Sequence, residues 1–315
     1  MEGNAPALAA DPPKQDWRRA VALFAVVFAM PSVARPSVLI AVPFLLLLGM
    51  KRLRTASAIV ACGLALLIVI GGARDGIWYF ERGWAVLIGG WFVAVSMARP
   101  AMQLSGRLLA AVMGATASAA AILAVRSGAW SVIDWAVTDR VQAAVAAVVD
   151  AAVLFRGGET LSPLLVAVVY QTADWQVSLF PAFTAITSMG ALAAAWWATG
   201  AFSASDGRTI GPIRDYRFND HLVWVFVIGL VLMVVRGGEP LQRVGFNAVA
   251  FMGALYALRG AAVVVFVSGG LSFLAYLLTT VVFVVAPAVV LGGAMVVGIG
   301  DTYLDFRKRV TELTA

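Results

Sequence analysis

The apolar and polar positions of this chain alternate as long apolar runs divided by short charged clusters. The extreme case is residues 244–300, where Arg259 is the only charged side chain. A membrane-crossing helix needs about 20 apolar residues at 1.5 Å rise each, so this run predicts roughly three crossings. Its only punctuation is Arg259-Gly260, Ser268-Gly269-Gly270 and Pro287. A break at Pro287 gives about ten helices in all and returns the chain to the side it started from. One long bent helix over 271–300 would give nine.

The remaining runs follow the same logic. Residues 20–30 and 37–50 flank Pro31 and Arg35-Pro36, and two prolines around an arginine predict the turn of a hairpin. Runs at 56–71, 84–98, 108–125, 177–202 and 222–235 predict further crossings, while 161–170 is too short to cross alone. Residues 72–83 mix four charges with Trp78, Tyr79 and Phe80, which predicts an outer loop at the aromatic belt. From 130 to 155 the period changes. Ile133, Val137, Val141, Ala144, Val148, Ala152 and Phe155 make one apolar stripe, so segment 129–157 predicts an amphipathic helix lying along the outer surface or against the bundle. The expected fold is an all-α, polytopic transmembrane helix bundle of about 8–10 spans. It divides into a polar tail at 1–19, one helical domain at 20–306 and a second tail at 307–315.

Composition adds weight to this reading. Hydrophobic residues make up 62% and charged residues 13% of the chain, where soluble domains carry about one quarter charged. The net charge of +6 comes from Lys and Arg in short clusters: Lys14 to Arg19, Lys51 to Arg54, Arg99 and Arg107, Arg208 to Arg217, and Arg307 to Arg309. Such clusters mark cytoplasmic turns, so the basic balance implies a bilayer and no nucleic acid. Cys62, the only cysteine, excludes an internal disulfide or a thiolate metal site.

Candidate chemistry begins with Arg259. An unpaired arginine at mid-bilayer costs about 2.5–3.5 kcal/mol, so it must face protein, water or an anion. It can serve an anionic ligand or a proton path, or it can snorkel to an interface or pair structurally with Asp301; the structural readings are the simpler ones. Arg35, between prolines, reads as a solvated loop cation. Gly298-Ile299-Gly300-Asp301 matches the Gly-x-Gly-Asp box of intramembrane aspartyl proteases, but such a dyad needs a second carboxylate in a span, and Asp215 and Asp220 fall in a basic loop. Gly300 then ends the last span, Asp301 caps a short helix, and Asp305 pairs with Arg309. His221 is the only histidine, and neither a nucleophile elbow nor a phosphate-binding loop occurs. These observations predict no metal, no cofactor and no catalysis.

Three blocks resemble a family. Asn247 with Leu255-Tyr256-Ala-Leu-Arg259-Gly260, then Phe218-Asn-Asp-His-Leu-Val-Trp224, and finally Gly298-Ile-Gly300-Asp301-Thr-Tyr-Leu-Asp305-Phe-Arg307 are similar to uncharacterised bacterial multi-pass membrane proteins of the YybS type. In that family Gln often stands at the position of Arg259. The resemblance implies the bacterial cytoplasmic membrane and a layout similar to the substrate-binding subunits of energy-coupling-factor transporters. Those subunits dock a partner through Ala-x-x-x-Ala, which Ala25 and Ala29 match. Two functions follow as expectations. One is a transport-type subunit holding a small solute in a polar cavity by Arg259, Tyr256 and Asn247. The other is a scaffold or regulatory protein acting through membrane or cytoplasmic partners.

Overall fold

The computed structural model describes residues 17–50, 56–126, 128–202, 211–235, 237–270 and 272–314. Lys14, Lys51, Arg52, Arg54 and Arg208, which were read as cytoplasmic charges, lie outside them. The described residues form helices α1 (Trp17–Ala29), α2 (Pro36–Gly49), α3 (Ala56–Ile70), α4 (Gly76–Ala98), α5 (Leu104–Val125), α6 (Ala129–Phe155) and α7 (Pro163–Ser178). They continue with α8 (Phe180–Phe202), α9 (Val223–Val234), α10 (Glu239–Val267), α11 (Phe273–Val285), α12 (Pro287–Leu304) and α13 (Phe306–Thr314). No strand occurs among them, and the fold is an all-α bundle.

Helices α5, α10 and α12 are each long and apolar enough to cross a membrane, and α7 with α8, bent by 71°, makes a fourth candidate if counted as one span. The other apolar helices, α2, α3 and α9, are shorter. Large apolar side chains such as Ile59, Leu67, Val234 and Val289 stand exposed on the outside, which is the surface a bilayer covers.

Local chemistry sets the boundaries. Proline opens α2, α7 and α12, where its missing N–H has no helical partner to lose. Ser162 caps α7 by accepting from Leu165 N, and Asp75 caps α4 by accepting from Trp78 N at 2.6 Å. That cap corrects the reading of 72–83 as a loop: from Gly76 onward the segment is the first two turns of α4. A second correction concerns the last span. It runs through Gly300 and Asp301 to Leu304 and ends where Asp305 adopts a left-handed φ of 41°. Asp301 is drawn inside the helix by its side-chain partner, and Asp305 binds Arg217 instead of Arg309.

The amphipathic stripe of α6 is buried only in its middle, at Val137 and Val141; Val148 and Phe155 are exposed. The helix packs on α4 and α7. The core itself lies among α2, α4, α5, α8 and α10, with the Ala-rich α8 at its centre.

Residues 244–300 break at Ser268-Gly269-Gly270 and at Ala286-Pro287. Gly253, Tyr256 and Arg259 of α10 meet Met295, Gly298 and Asp301 of α12. Both sets advance together, so α10 and α12 run in the same direction and α11 brings the chain back between them. Small residues make this pairing possible: a Cβ on Gly260 would lie 1.8 Å from the Ala294 carbonyl oxygen, and one on Gly298 1.9 Å from that of Tyr256.

Candidate functional site

Two polar clusters occupy opposite ends of α10, marked by Arg243 and Arg259, which stand roughly 24 Å apart along the helix. The first surrounds Arg259. The α10–α12 contact carries Arg259 Nε to 2.9 Å from Asp301 Oδ2, while Nη1 donates to Asp220 Oδ1 at 2.5 Å. The guanidinium also lies 5.5 Å from the Phe218 ring centre. Arg259 is 3% and Asp301 1% exposed. Arg307 approaches the same Asp301 oxygen to 4.0 Å and donates to the carbonyls of Arg214 and Tyr216, both at 3.0 Å.

This cluster ties the last helices to the 212–222 segment, where Arg217 also binds Asp305 and accepts at its carbonyl from Ser105. Burial pushes the Tyr216 hydroxyl well above its usual range, with Arg259 pulling the other way. Burial lowers the Arg307 guanidinium, and the Asp301 charge opposes it. Asp220 and Asp301 sit on either side of one guanidinium, whereas a protease dyad needs its carboxylates in direct contact sharing a proton. The two arginines and two aspartates balance in charge, while Asp301 Oδ1 and Arg307 Nε are buried without a hydrogen-bond partner in the described structure.

Tyr256 belongs to this end. It is fully buried and packs edge-on against Phe218 and Phe226, with Thr302 beside its hydroxyl. Asn247 does not. Three turns earlier on α10, its Oδ1 accepts from Ala182 N at 2.9 Å, and its Nδ2 donates to the Ser178 and Arg243 carbonyls. It thereby satisfies free backbone groups at the α7–α8 break. Gly260 is the packing glycine already described, and Gly300 lies inside α12 against the Phe306 ring.

The second cluster centres on Glu81, which is completely buried. Its Oε1 accepts from Arg140 Nη1 at 2.7 Å and from the Arg35 backbone N at 3.3 Å; Arg35 Nε lies 3.7 Å away, and Arg82 Nη1 reaches Oε2 at 3.3 Å. Arg35, read as a solvated loop cation, is thus a half-exposed member of an ion cluster. Arg82 also donates to the carbonyls of Ile68, Val69 and Gly71, closing the C-terminal end of α3. Close by, Arg243 binds Asp134 at 2.6 Å. Three guanidiniums thus converge on one carboxylate, leaving a surplus of positive charge even when Asp75, whose field reaches Arg82, is counted. None of Glu81, Arg82 and Arg140 was singled out by the sequence. The usable signal was the Asp75 cap, which places Glu81 inside a helix and makes it a carboxylate that must be paired.

Beside this cluster the α1–α2 turn, α6 and α7 enclose a crevice of about 300 Å³. Arg140, Ser32 and Gln176 supply its polar lining, and Val33, Val141, Ala144, Val145, Val148 and Val169 the rest. The Ser32 Oγ is buried and makes no hydrogen bond within the described structure.

A family model described as a predicted membrane protein, DUF2232, matches residues 20–302. The chain belongs to this family. The DUF2232 match takes in the Glu81 cluster, the whole crevice and the Arg259, Asp220 and Asp301 side chains, but ends before Asp305 and Arg307. Membership makes the chain a predicted membrane protein, and its several apolar helices point to a multi-pass one. No curated protein and no solved structure matches it.

Proposed function

We propose that the protein is a non-catalytic, small-solute-binding subunit of transport type in a bacterial cytoplasmic membrane, and that its site is the crevice at Arg140 and not the region of Arg259. The observation that carries this reading is the contrast in charge. Arg259 is neutralised by the buried Asp301 and the exposed Asp220, while Arg140 belongs to a cluster with surplus positive charge and opens on a crevice. Pockets with apolar walls and a few convergent polar groups are the ordinary form of a solute site. The chain carries no phosphate-binding loop, so uptake would draw its energy from a partner protein.

A scaffold role draws on a separate feature. Helix α13, pinned through Arg307, presents Lys308 and Arg309 to solvent.

The Ala144→Phe variant tests the solute-binding reading, because Ala144 is exposed, lines the crevice one helical turn from Arg140 and makes none of the cluster's ion pairs. The small molecules released by solvent from purified wild-type protein, identified by mass spectrometry, should include one species at near-stoichiometric amount. That species should fall at least tenfold in Ala144→Phe protein of unchanged thermal stability. Equal amounts in both, or no specific species from wild type, would count against the crevice as the site.

A further inference from the structure

We infer that the ligand of this crevice is an anionic amphiphile, one carboxylate or phosphate head against Arg140 with a single aliphatic tail along the valine wall; the inference rests on the solute-binding reading. The polar groups stand together with an apolar remainder. Arg140 brings a guanidinium of which Nη1 is held by Glu81, and a guanidinium has five N–H donors in all. Ser32 and Gln176 complete the polar lining. An anionic head meets guanidinium donors and uncompensated positive charge there, the combination that makes charge-assisted hydrogen bonds strong.

The wall excludes other classes. Five valines and an alanine offer nothing to the hydroxyls of a sugar or the amides of a peptide, and burying such groups without partners costs about 1–3 kcal/mol each. One lining guanidinium is poorly matched to a solute with two or three separate anionic groups, such as a di- or tricarboxylate. A volume of about 300 Å³ lies at the small end of ligand pockets and holds one chain, not a two-chain lipid. The helices bounding the crevice also carry an exposed apolar rim, with Val148, Leu154, Phe155 and Leu164 between 62% and 93% exposed. Apolar side chains so exposed on helices of a membrane protein suit contact with hydrocarbon, which gives an amphiphile a route to the crevice along α6 and α7.

The test uses the purified full chain in zwitterionic nanodiscs and four probes: dodecanoate and dodecyl phosphate below their micelle concentrations, dodecanol below its solubility limit, and inorganic phosphate. Dodecanoate or dodecyl phosphate should saturate one site, with dodecanol at least tenfold weaker and inorganic phosphate without measurable binding. Arg140→Gln should weaken the anionic probes at least tenfold, and Ala144→Phe should abolish their binding. Because Arg140→Gln also disturbs Glu81 and can unfold the protein, Ala144→Phe gives the independent reading. Tighter binding of dodecanoate points to a free fatty acid, and tighter binding of dodecyl phosphate to a phosphate-headed lipid fragment; both support the class. Equal binding of dodecanol, or saturation by inorganic phosphate alone, would overturn the amphiphile assignment and leave solute binding standing. No binding of any probe, together with no co-purifying species, would overturn both.

Discussion

Gly298→Ala should destabilise the protein by about 3 kcal/mol, the upper part of the range for forcing a methyl group into a packed interface. The added Cβ would sit 1.9 Å from the Tyr256 carbonyl oxygen and 2.9 Å from the Gly260 nitrogen. Both are backbone atoms, so no side-chain rotation relieves the clash and α10 and α12 must move apart. Gly260→Ala should behave alike, since its Cβ would meet the Ala294 carbonyl at 1.8 Å. The control lies on the same helix: nothing stands within 4 Å of a Cβ on Gly292 or Gly293. Alanine there should be neutral or slightly stabilising, by up to about 1 kcal/mol, because glycine is the poorer helix former. Thermal unfolding in detergent, followed by tryptophan fluorescence, would read all four variants. Equal midpoints for Gly298→Ala and Gly293→Ala would show that the α10–α12 contact is not as described.

Arg259→Gln should cost a comparable amount, about 3–5 kcal/mol, as expected when one partner of a buried ion pair is removed. The loss leaves Asp301 at 1% exposure with only Arg307 nearby, at 4.0 Å. Asp220 is more than half exposed at its side chain and can turn to water, so it contributes little to the penalty. Adding Asp301→Asn to Arg259→Gln should recover most of the loss, because the second change removes the stranded charge. The double-mutant cycle, read by the same unfolding assay, should therefore show strong coupling between the two sites. Additive effects would contradict a direct pair.

The Arg259–Asp301 pair was legible in the sequence because an arginine alone in an apolar run needs a partner, and Asp301 is the first acid beyond that run. The helix breaks at Gly269-Gly270 and Pro287 were legible for a similar reason, since local chain chemistry dictates them. Asp220 was not. It is separated from Arg259 by 39 positions in a segment whose charges read as a solvated turn, and no periodicity encodes that approach. Asn247 was grouped with Arg259 because both are polar residues on one helix, but three turns of α-helix carry it to the other end of the bundle. The Glu81 cluster was hidden by mixed composition. Charges and aromatics in 72–83 suggested a loop until the Asp75 cap made the segment a helix with a buried face. The crevice depends on the α1–α2 turn meeting two consecutive helices far along the chain, α6 and α7, and only their packing reveals it.

The proposed division of labour between the two clusters, a structural latch at Arg259 and a ligand site at Arg140, comes down to ligand occupancy in two variants purified side by side. Mass spectrometry of the molecules released from Arg259→Gln and Ala144→Phe protein should find the bound species retained in the folded fraction of the first and lost from the second. Loss from Arg259→Gln with retention in Ala144→Phe would place the ligand at the opposite end of the bundle and contradict the account.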